Sequence, residues 1–439
     1  MERKSLYVSV FVLLVAGCAH KAETQSVVAQ PTGGPARSGN AGAVHAAHLG
    51  AARATSDLAS SVPVPLVAAS HPVDWWFVFK FNTASFPGCG DGASRACPFG
   101  GQVQDYDFGQ QFVYASSDVP ALQKGSGCAG DSTDDPVGAT FDEIYSGHYH
   151  YVVWNDQFYD DPVIKGCTKS CSAPWGHSKG LLAWNDNGQG LVLQVSTPSW
   201  PASGNASHPR QHDGNSLGCI SDDDVKVSQH FFALKLTKSD LVAVLQALEN
   251  ASVVTDPNNP QIVNNGGPDD VQALVSMLGK KSSSAKYTTV ALSSGVQLIS
   301  KPSRLPVPPW QMVSAVLDGV SLRTATWWAN PKIETTTSTT NIGCWDSSLG
   351  KPGAVEIATS GIWDSTRFGL TGGPGKNFNH AKLGVSTSGN VHYSIFGDMN
   401  QQGSIADQCS RSQNGRGGLF YVLEDKALFE SLTHLISDK

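Results

Sequence analysis

The sequence predicts an α/β fold composed of two similar halves. Apolar runs typical of strands alternate with stretches of helical periodicity along most of the 439 residues, which is characteristic of α/β architecture. A pattern of strand, turn and strand follows the tripeptide His177–Lys179 and occurs again after His380–Lys382. Such an internal repeat indicates two copies of one unit, each of which brings a His-x-Lys sequence to a shared cleft.

The individual strands are predicted from runs of aromatic and β-branched residues. The first run begins abruptly at Pro72 and ends at Phe81. The others are His150–Trp154, Gly180–Trp184, Leu191–Val195, Phe231–Leu236, Thr324–Trp328, Ala381–Ser386, Val391–Phe396 and Leu419–Leu423. Helical periodicity covers Ser239–Asn250, Pro268–Leu278, Pro309–Leu317 and Leu423–Ile436. The segment Ala251–Gly267 is rich in proline and asparagine and is predicted to be a long loop between the halves.

The first 18 residues have the features of an export signal. Arg3 and Lys4 precede the apolar run Leu6–Val15, which is too short to span a membrane comfortably. The small residues directly before Cys18 resemble a bacterial lipoprotein box, which implies cleavage before that cysteine and acylation of its thiol. An ordinary secretory peptide is the alternative. Both interpretations predict an exported chain, either secreted or lipid-anchored to the cell envelope on its periplasmic or outer-membrane face.

Residues 19–70 are rich in Ala, Ser, Gly, Pro and Thr and cannot bury enough apolar surface to order themselves. We predict a disordered tether there. The N-terminal half of the fold is predicted at 71–255 and the C-terminal half at 256–439, each with one His-x-Lys tripeptide.

Eight cysteines follow Cys18, and an even number in an exported chain favours disulfides. They are Cys89, Cys97, Cys128, Cys167, Cys171, Cys219, Cys344 and Cys409. Loop length makes Cys89 with Cys97, and Cys167 with Cys171, candidate pairs, and leaves the remaining connectivity open. Zinc is disfavoured because no pair has two-residue ligand spacing.

The charge balance excludes a histone-like or tail-driven nucleic-acid binder. The chain has 30 Lys and Arg against 37 Asp and Glu, which gives a net charge of −7. It also has 13 histidines, and protonation of all of them would make the net charge positive. Attraction to a polyanion is therefore expected on acidification.

The two His-x-Lys tripeptides are the sequences that point to chemistry. Residues i and i+2 of a strand share a face, so the histidine and lysine of each tripeptide are expected to project together. An imidazole that attacks or donates a proton, beside an ammonium that binds a phosphate oxygen, forms a half-site for phosphoryl transfer. A solvated strand face is the alternative for one tripeptide alone, and the repeated hairpin favours the half-site.

Several further stretches accompany the tripeptides. They are Pro72–Lys80, Trp154–Gln157, Gly176–Gly180, Asn215–Ile220, Gly397–Asn400 and Arg416–Gly418. Together with the tripeptides and in this order, they resemble the deoxyribonuclease II family, acid endonucleases built on the phospholipase D type of fold. The Gly-His-x-Lys-Gly and Gly-Asp-Met-Asn sequences are the most specific of these likenesses.

The resemblance implies a pseudo-dimer of two mixed-sheet halves flanked by helices, with one shared active-site cleft. It further implies cleavage of DNA without a metal ion or other cofactor, leaving 3′-phosphate and 5′-hydroxyl ends. His177 and His380 correspond to the nucleophile and general-acid pair, and the usual order in the wider fold family favours His177 as the nucleophile. Lys179 and Lys382 correspond to phosphate ligands, and Asn400 to the asparagine that steadies the second half-site.

Three further residues are expected to contribute to substrate binding: Ser199, Asp398 and Arg416. Ser199 stands where the family often has an asparagine, and Gln194–Ser196 replaces a segment that carries a histidine. Arg416 is equally explained by a Gly-rich turn before the strand Leu419–Leu423.

A neutral imidazole that attacks phosphorus would form a phosphohistidine, while the opposite imidazolium protonates the leaving 5′ oxygen. The rate should then peak between two coupled pKa values and fall at alkaline pH. Two neighbouring cations favour an acid optimum.

Other motifs have simpler explanations. His148 and His150 could form half of a metal site, but their aromatic neighbours favour a packed strand. Asp222–Asp224 is more typical of an exposed acidic turn than of a calcium site. Trp75–Trp76 and Trp327–Trp328 could stack on bases, although at least one member of each pair is expected in the core.

We therefore predict a DNA substrate, membrane contact through the N-terminal lipid anchor, no cofactor and no obligate protein partner. A phospholipase D-like phosphodiesterase acting on lipid, and a catalytically inactive surface binding protein, are the alternatives.

Overall fold

The computed structural model describes residues 61–82, 111–159, 162–164, 167, 170–209, 217–218, 227–329, 331–373 and 378–437. All of them belong to one compact unit, His45–Lys439. The predicted signal segment 1–18 with its Cys18 lies outside the described residues, as do Cys89, Cys97 and Cys219. What the sequence predicts for them stays a prediction.

The described residues contain nineteen strands and five α-helices. The strands are β1 (Leu66–Ala68), β2 (His71–Pro72), β3 (Trp75–Lys80), β4 (Phe112–Ser116), β5 (Gln123–Lys124), β6 (His150–Asn155), β7 (Lys179–Trp184), β8 (Gly190–Val195), β9 (Gln229–Leu236), β10 (Val263–Asn264), β11 (Thr288–Ala291), β12 (Gln297–Lys301), β13 (Leu322–Ala325), β14 (Val355–Ile357), β15 (Ser360–Trp363), β16 (Thr366–Gly369), β17 (Leu383–Ser386), β18 (Tyr393–Gly397) and β19 (Gly418–Glu424). The helices are α1 (Pro136–Ser146), α2 (Lys238–Ala251), α3 (Asp269–Val275), α4 (Pro309–Val316) and α5 (Lys426–Leu435).

Most strands belong to two large sheets. The first has eight strands in the order β10-β6-β7-β8-β9-β3-β4-β5, and the second has seven in the order β11-β12-β19-β18-β17-β13-β14. The predicted α/β class is confirmed. All neighbouring pairs of the first sheet are antiparallel, whereas β13 and β14 of the second run parallel. Only the second sheet is therefore mixed, because the pair β13–β14 is parallel.

The two sheets repeat one topology. The spatial order β6-β7-β8-β9-β3 of the first matches the order β13-β17-β18-β19-β12 of the second. The hairpin β7–β8 thus corresponds to the hairpin β17–β18, as the sequence repeat predicts. Opposed residues on three adjacent strands are Gly180, Gln194 and Phe232 in the first sheet, and Leu383, Phe396 and Tyr421 in the second. This register makes Ser196 equivalent to Asp398, Ser228 to Gly417, and His230 to Leu419.

The halves share one apolar core, because aromatic rings of the first sheet stack on Phe396 of the second. Its ring lies 4.8 Å from that of Phe77 and 4.4 Å from that of Phe232, measured between centroids. Helix α2 follows β9 of the first sheet and packs against β12 and β19 of the second as well as against β8 and β9. The sheets are therefore held in a fixed relation, and side chains at their common edge can form a single site.

Helix starts have local causes. The side chain of Asp135 accepts hydrogen bonds from the backbone N of Val137 and Gly138 and caps α1. Thr237 and Asp240 form a reciprocal capping box at the start of α2. Asp425 caps α5 through Leu428 N. This cap separates α5 from β19, so the helix begins at Lys426 and not at Leu423 as its periodicity predicts.

Two other boundaries differ from the prediction. The described part of the predicted tether, residues 61–70, contains β1, whose Leu66 is buried and donates its backbone N–H to Thr140 Oγ1. Packing against α1 therefore orders the end of this segment in spite of its composition. The predicted loop between the halves contains β10, which pairs with β6 at the edge of the first sheet.

Two disulfides lie wholly within the described residues. Cys167 is bonded to Cys171, as loop length predicts, and Cys344 to Cys409. Cys128 is also disulfide-bonded. In the described ranges no helix has both the length and the apolar character needed to cross a membrane.

Candidate active site

Each His-x-Lys tripeptide is attached by its backbone to the opposite half. His177 N donates to Gly417 O at 2.8 Å, and His380 N donates to Ser228 O at 2.9 Å. Gly417 directly precedes β19, and Ser228 directly precedes the equivalent strand β9. The two contacts are therefore related by the internal repeat, and they place both tripeptides at the junction of the sheets.

The lysines lie where the sequence predicts, at the start of equivalent strands. Lys179 is the first residue of β7 and opposes Asn155 of β6, whereas Lys382 directly precedes β17. Both are almost wholly buried, with 2% and 3% of their surfaces exposed. A buried ammonium needs hydrogen-bond acceptors or a counter-charge, and the two half-sites supply these differently.

Lys179 belongs to a buried ion network. Its Nζ donates to Asp156 Oδ1 at 2.5 Å, and the guanidinium of Arg416 donates to Asp156 Oδ2 at 2.7 Å. Arg416 also donates to the backbone oxygens of Trp175 and Gly176. Although burial alone would raise the pKa of Asp156, the two cations hold that pKa well below its usual range. Arg416 thus ties the C-terminal half to the loop that carries His177.

The ring of His177 has a fixed orientation. Its Nδ1 lies 2.6 Å from the backbone oxygen of Asp398. A carbonyl oxygen only accepts, so Nδ1 carries the hydrogen and Nε2 carries the lone pair of the neutral ring. Burial, together with the ammonium of Lys179, lowers the pKa of His177 well below its usual value, and Arg416 and Lys382 act in the same direction. The imidazole is therefore neutral even in mildly acid solution.

The ammonium of Lys382, in the second tripeptide, is one of the cations that lower the pKa of His177. Lys382 Nζ donates to the backbone oxygen of His380. The ring of His380 lies 5.9 Å from that of Trp327 and is half-buried. His177 is more enclosed, with 8% of its surface exposed.

Asp398 occupies a structural position behind His177. Its Oδ1 accepts from Gln194 Nε2 at 2.9 Å, and its Oδ2 accepts from Leu419 N at 2.8 Å. The contact between Leu419 N and Asp398 Oδ2 has a counterpart in the other half, where the hydroxyl of Ser196 accepts from His230 N at 2.8 Å. Burial raises the pKa of Asp398 to about 6. Its carboxyl contacts protein groups on both oxygens, which gives it the geometry of a support for the site.

This raised pKa predicts a pH dependence of stability that Asp398→Asn removes. A carboxyl whose folded-state pKa exceeds its unfolded value stabilises the fold below the unfolded value, and this contribution is lost as the pH rises through about 6. The shift from 3.8 corresponds to a free energy of unfolding on the order of 3 kcal/mol. The variant cannot ionise, and Gln194 can rotate its amide to accept from the new amide because its Oε1 has no partner among the described residues.

Urea unfolding of both proteins at pH 4 and pH 7 measures this effect. We compare the free energy of unfolding of Asp398→Asn with that of the unmodified protein at each pH. This difference should favour the variant more at pH 7 than at pH 4, by about the free energy given above. The same stability difference at both pH values would contradict the shift.

The remaining predicted site residues, Asn400 and Ser199, are also buried. Asn400 follows β18 and is 3% exposed, and its Oδ1 has no partner among the described residues. Ser199 is fully buried in the loop after β8, with φ of 59°. Both lie after the second strand of a repeated hairpin, as the sequence predicts.

Four residues of the site are absent from the sequence prediction: Asp156, Gln194, His230 and Lys301. Asp156 follows β6 and lies in Trp154–Gln157, a stretch that resembles the family, so its position in the sequence could have identified it as a site residue. Lys301 is fully buried at the end of β12, and its Nζ donates to the backbone oxygens of Pro302, Asn414 and Arg416. Burial lowers the pKa of Lys301 to about 7. This lysine supports the turn that delivers Arg416 and Gly417.

No three His, Cys, Asp or Glu side chains within the described ranges converge in a way that could hold a metal ion. His150 of the His148–His150 sequence instead lies 2.8 Å from Asp186 Oδ1. A cavity of about 460 Å³ is lined by Ala173, Pro174, Ser303, Arg304, Pro306, Ser410 and Gly415, none of which is one of the site residues above.

Comparison with known proteins gives one family. No curated protein matches the sequence. Among solved structures, yeast tyrosyl-DNA phosphodiesterase matches with 9% identity and a TM-score of 0.32, covering 66% of this chain and 86% of that one. A histidine-to-asparagine mutant of the same enzyme matches with 8% identity and a TM-score of 0.33, with the same coverage. The model of the family Deoxyribonuclease II matches residues 67–439, a range that contains both sheets and both tripeptides, and the chain therefore belongs to the deoxyribonuclease II family.

Proposed function

We propose that this protein is a metal-independent acid endonuclease that cleaves DNA through a phosphohistidine at His177 and leaves 3′-phosphate and 5′-hydroxyl ends. Membership of the deoxyribonuclease II family makes the chain a hydrolytic nuclease, and the proposal concerns its chemistry. The observation that carries the proposal is the reciprocal attachment of the tripeptides, His177 N to Gly417 O and His380 N to Ser228 O. It brings two imidazoles and two ammonium groups to one junction.

The first step is attack on phosphorus. The hydrogen bond from Nδ1 to Asp398 O leaves the lone pair of His177 on Nε2, and Nε2 forms a bond to the scissile phosphorus. The bond from phosphorus to the 5′ oxygen breaks, and the imidazolium of His380 gives its proton to that oxygen. The positive charge that develops on the His177 ring is stabilised by the same carbonyl, which continues to accept from Nδ1.

The second step is hydrolysis of the phosphohistidine. The neutral ring of His380 takes a proton from water, and the water oxygen attacks phosphorus while the nitrogen–phosphorus bond breaks. This releases a 3′-phosphate, restores the neutral His177 and returns His380 to its protonated form. One water is consumed for each diester cleaved.

The lysines offset the charge of the phosphate. A phosphodiester repels nucleophiles because it is anionic, and ammonium groups placed in a site of low dielectric constant reduce this repulsion in the transition state. Asp156 neutralises part of the charge of Lys179 and Arg416. Lys382 Nζ donates to the uncharged backbone oxygen of His380, and its ammonium is the proposed ligand of a phosphate oxygen in the second half-site.

The scheme requires one neutral and one protonated imidazole. His177 meets the first condition in acid solution because burial and Lys179 lower its pKa. The rate should therefore be retained at pH 5 and fall at alkaline pH, where the proton donor is lost.

Nicking of a supercoiled plasmid in excess chelator tests the proposal. We expect cleavage at pH 5, little cleavage at pH 8, and products that phosphatase treatment makes extendable by a polymerase, since a 3′-phosphate blocks extension. Cleavage of a phosphatidyl substrate with intact DNA would favour the lipid phosphodiesterase, and no cleavage of either would favour a binding protein. Ends that are extendable without phosphatase would contradict the direction of bond cleavage.

A further inference from the structure

A third histidine, His230, lies at the junction and has no part in the scheme above. It belongs to β9 of the first sheet, and none of its surface is exposed. Its Nδ1 accepts a hydrogen bond of 3.1 Å from the backbone N of Lys382 in the other half. A backbone N–H only donates, so Nδ1 is unprotonated and the neutral ring carries its hydrogen on Nε2.

The backbone of Lys382 needs this acceptor because it lies just outside its own strand. β17 begins one residue later, where Leu383 is paired with Ala325 of β13. In the first half the equivalent lysine, Lys179, is itself paired with Asn155 of β6. A buried N–H without an acceptor is costly, and for Lys382 the imidazole of His230 takes the place of the neighbouring strand.

His230 completes a set of three consecutive contacts. Ser228 O accepts from His380 N at 2.9 Å and from Ala381 N at 3.1 Å, and His230 Nδ1 accepts from the next residue, Lys382. Residues 228–230 of one half thus accept hydrogen bonds from all three backbone N–H groups of the second tripeptide. The two contacts to Ser228 use a backbone oxygen, and the third depends on the identity of a side chain.

We propose that His230 is a positioning residue for DNA cleavage, which fixes the backbone of Lys382 and thereby directs the imidazole of His380 and the ammonium of Lys382 at the scissile phosphate. This inference rests on the proposed function. The equivalent residue in the other half is Leu419, whose side chain has no hydrogen-bond acceptor, so the role exists for the second tripeptide alone. Burial and the nearby Lys382 lower the pKa of His230 well below its usual value, which preserves the acceptor in acid solution.

The pair His230→Asn and His230→Gln tests this role. The Oδ1 of asparagine takes the place of Nδ1, whereas the Oε1 of glutamine lies nearer the place of Nε2, so only asparagine restores the acceptor. We expect His230→Asn to keep kcat for an oligonucleotide close to that of the unmodified protein. His230→Gln and His230→Leu should lower kcat by about 10²-fold, because a shift of about 1 Å in a reacting group has this effect, with little change in KM.

Hydrogen exchange of the Lys382 amide gives a readout that does not depend on DNA cleavage. Protection should persist in His230→Asn and be lost in His230→Gln, and these two variants decide the matter even if the leucine variant fails to fold. Equal activity of the two variants, whether high or low, would overturn the proposal. If the unmodified protein cuts no DNA, the proposed function fails, and unchanged exchange in His230→Gln would separately disprove the contact.

Discussion

Replacing His177 or His380 by alanine is expected to reduce plasmid cleavage by at least about 10⁴-fold, since each is required for the same chemical step. The double variant should be no less active than either single variant, because residues that act as one unit are not additive. In the proposed mechanism, His177 provides the attacking Nε2, since its Nδ1 donates to Asp398 O, and His380 provides the proton for the leaving oxygen.

His71→Ala is a matched control. His71 is exposed and contacts Asp118 at 3.3 Å in a surface pair, so its removal should leave cleavage unchanged. Circular dichroism and thermal unfolding of all variants establish that the fold is retained. Near-normal cleavage by a folded His177→Ala or His380→Ala variant would remove that histidine from the mechanism.

The second large effect is on stability. Asp156→Ala should lower the free energy of unfolding at pH 7 by about 3–5 kcal/mol, because it leaves the buried cations Lys179 and Arg416 without their shared carboxylate. The same change should lower cleavage, since Lys179 and Arg416 would lose the carboxylate that orients them beside the loop that carries His177. Urea unfolding measures the first effect and the plasmid assay the second.

The pH dependence of this loss has a defined sign. The pKa of Asp156 is held below its unfolded value by Lys179 and Arg416, so its contribution is present above the unfolded value and disappears as the pH falls through the folded value. The difference between the two proteins should therefore shrink in strong acid. Asp186→Ala is the control, because its contact with His150 is largely exposed and such pairs contribute little. A loss no larger than that of the control would contradict a structural role for Asp156.

Local sequence patterns were sufficient for much of the fold. The run Trp75–Lys80 is buried at every position, and a continuous apolar run is the pattern expected of such a strand. The hairpins after His177–Lys179 and His380–Lys382 were visible because both strands and the turn are adjacent in the sequence. Helix α1 was not predicted because Pro136 and Gly138 lie in its first turn, and these residue types usually interrupt a helical pattern.

The contacts that assemble the site could not be predicted from local sequence patterns. Gly417 O, Ser228 O and Asp398 O are backbone atoms, and every residue type carries the same carbonyl, so no side chain marks these positions. His230 lies in a run of aromatic and aliphatic residues that predicts only a core strand. Its role depends on Lys382, which is 152 residues away in the sequence.

The exchange of contacts between the halves also constrains when this protein becomes active during its synthesis. The acceptor for His177 N is supplied at position 417, and the acceptor for His380 N at position 228. A polypeptide that contains only the first half therefore has one tripeptide and lacks Gly417 and Asp398, the backbone acceptors that contact His177 from the other half. The contacts that orient both tripeptides are complete only when nearly the whole chain has been synthesised.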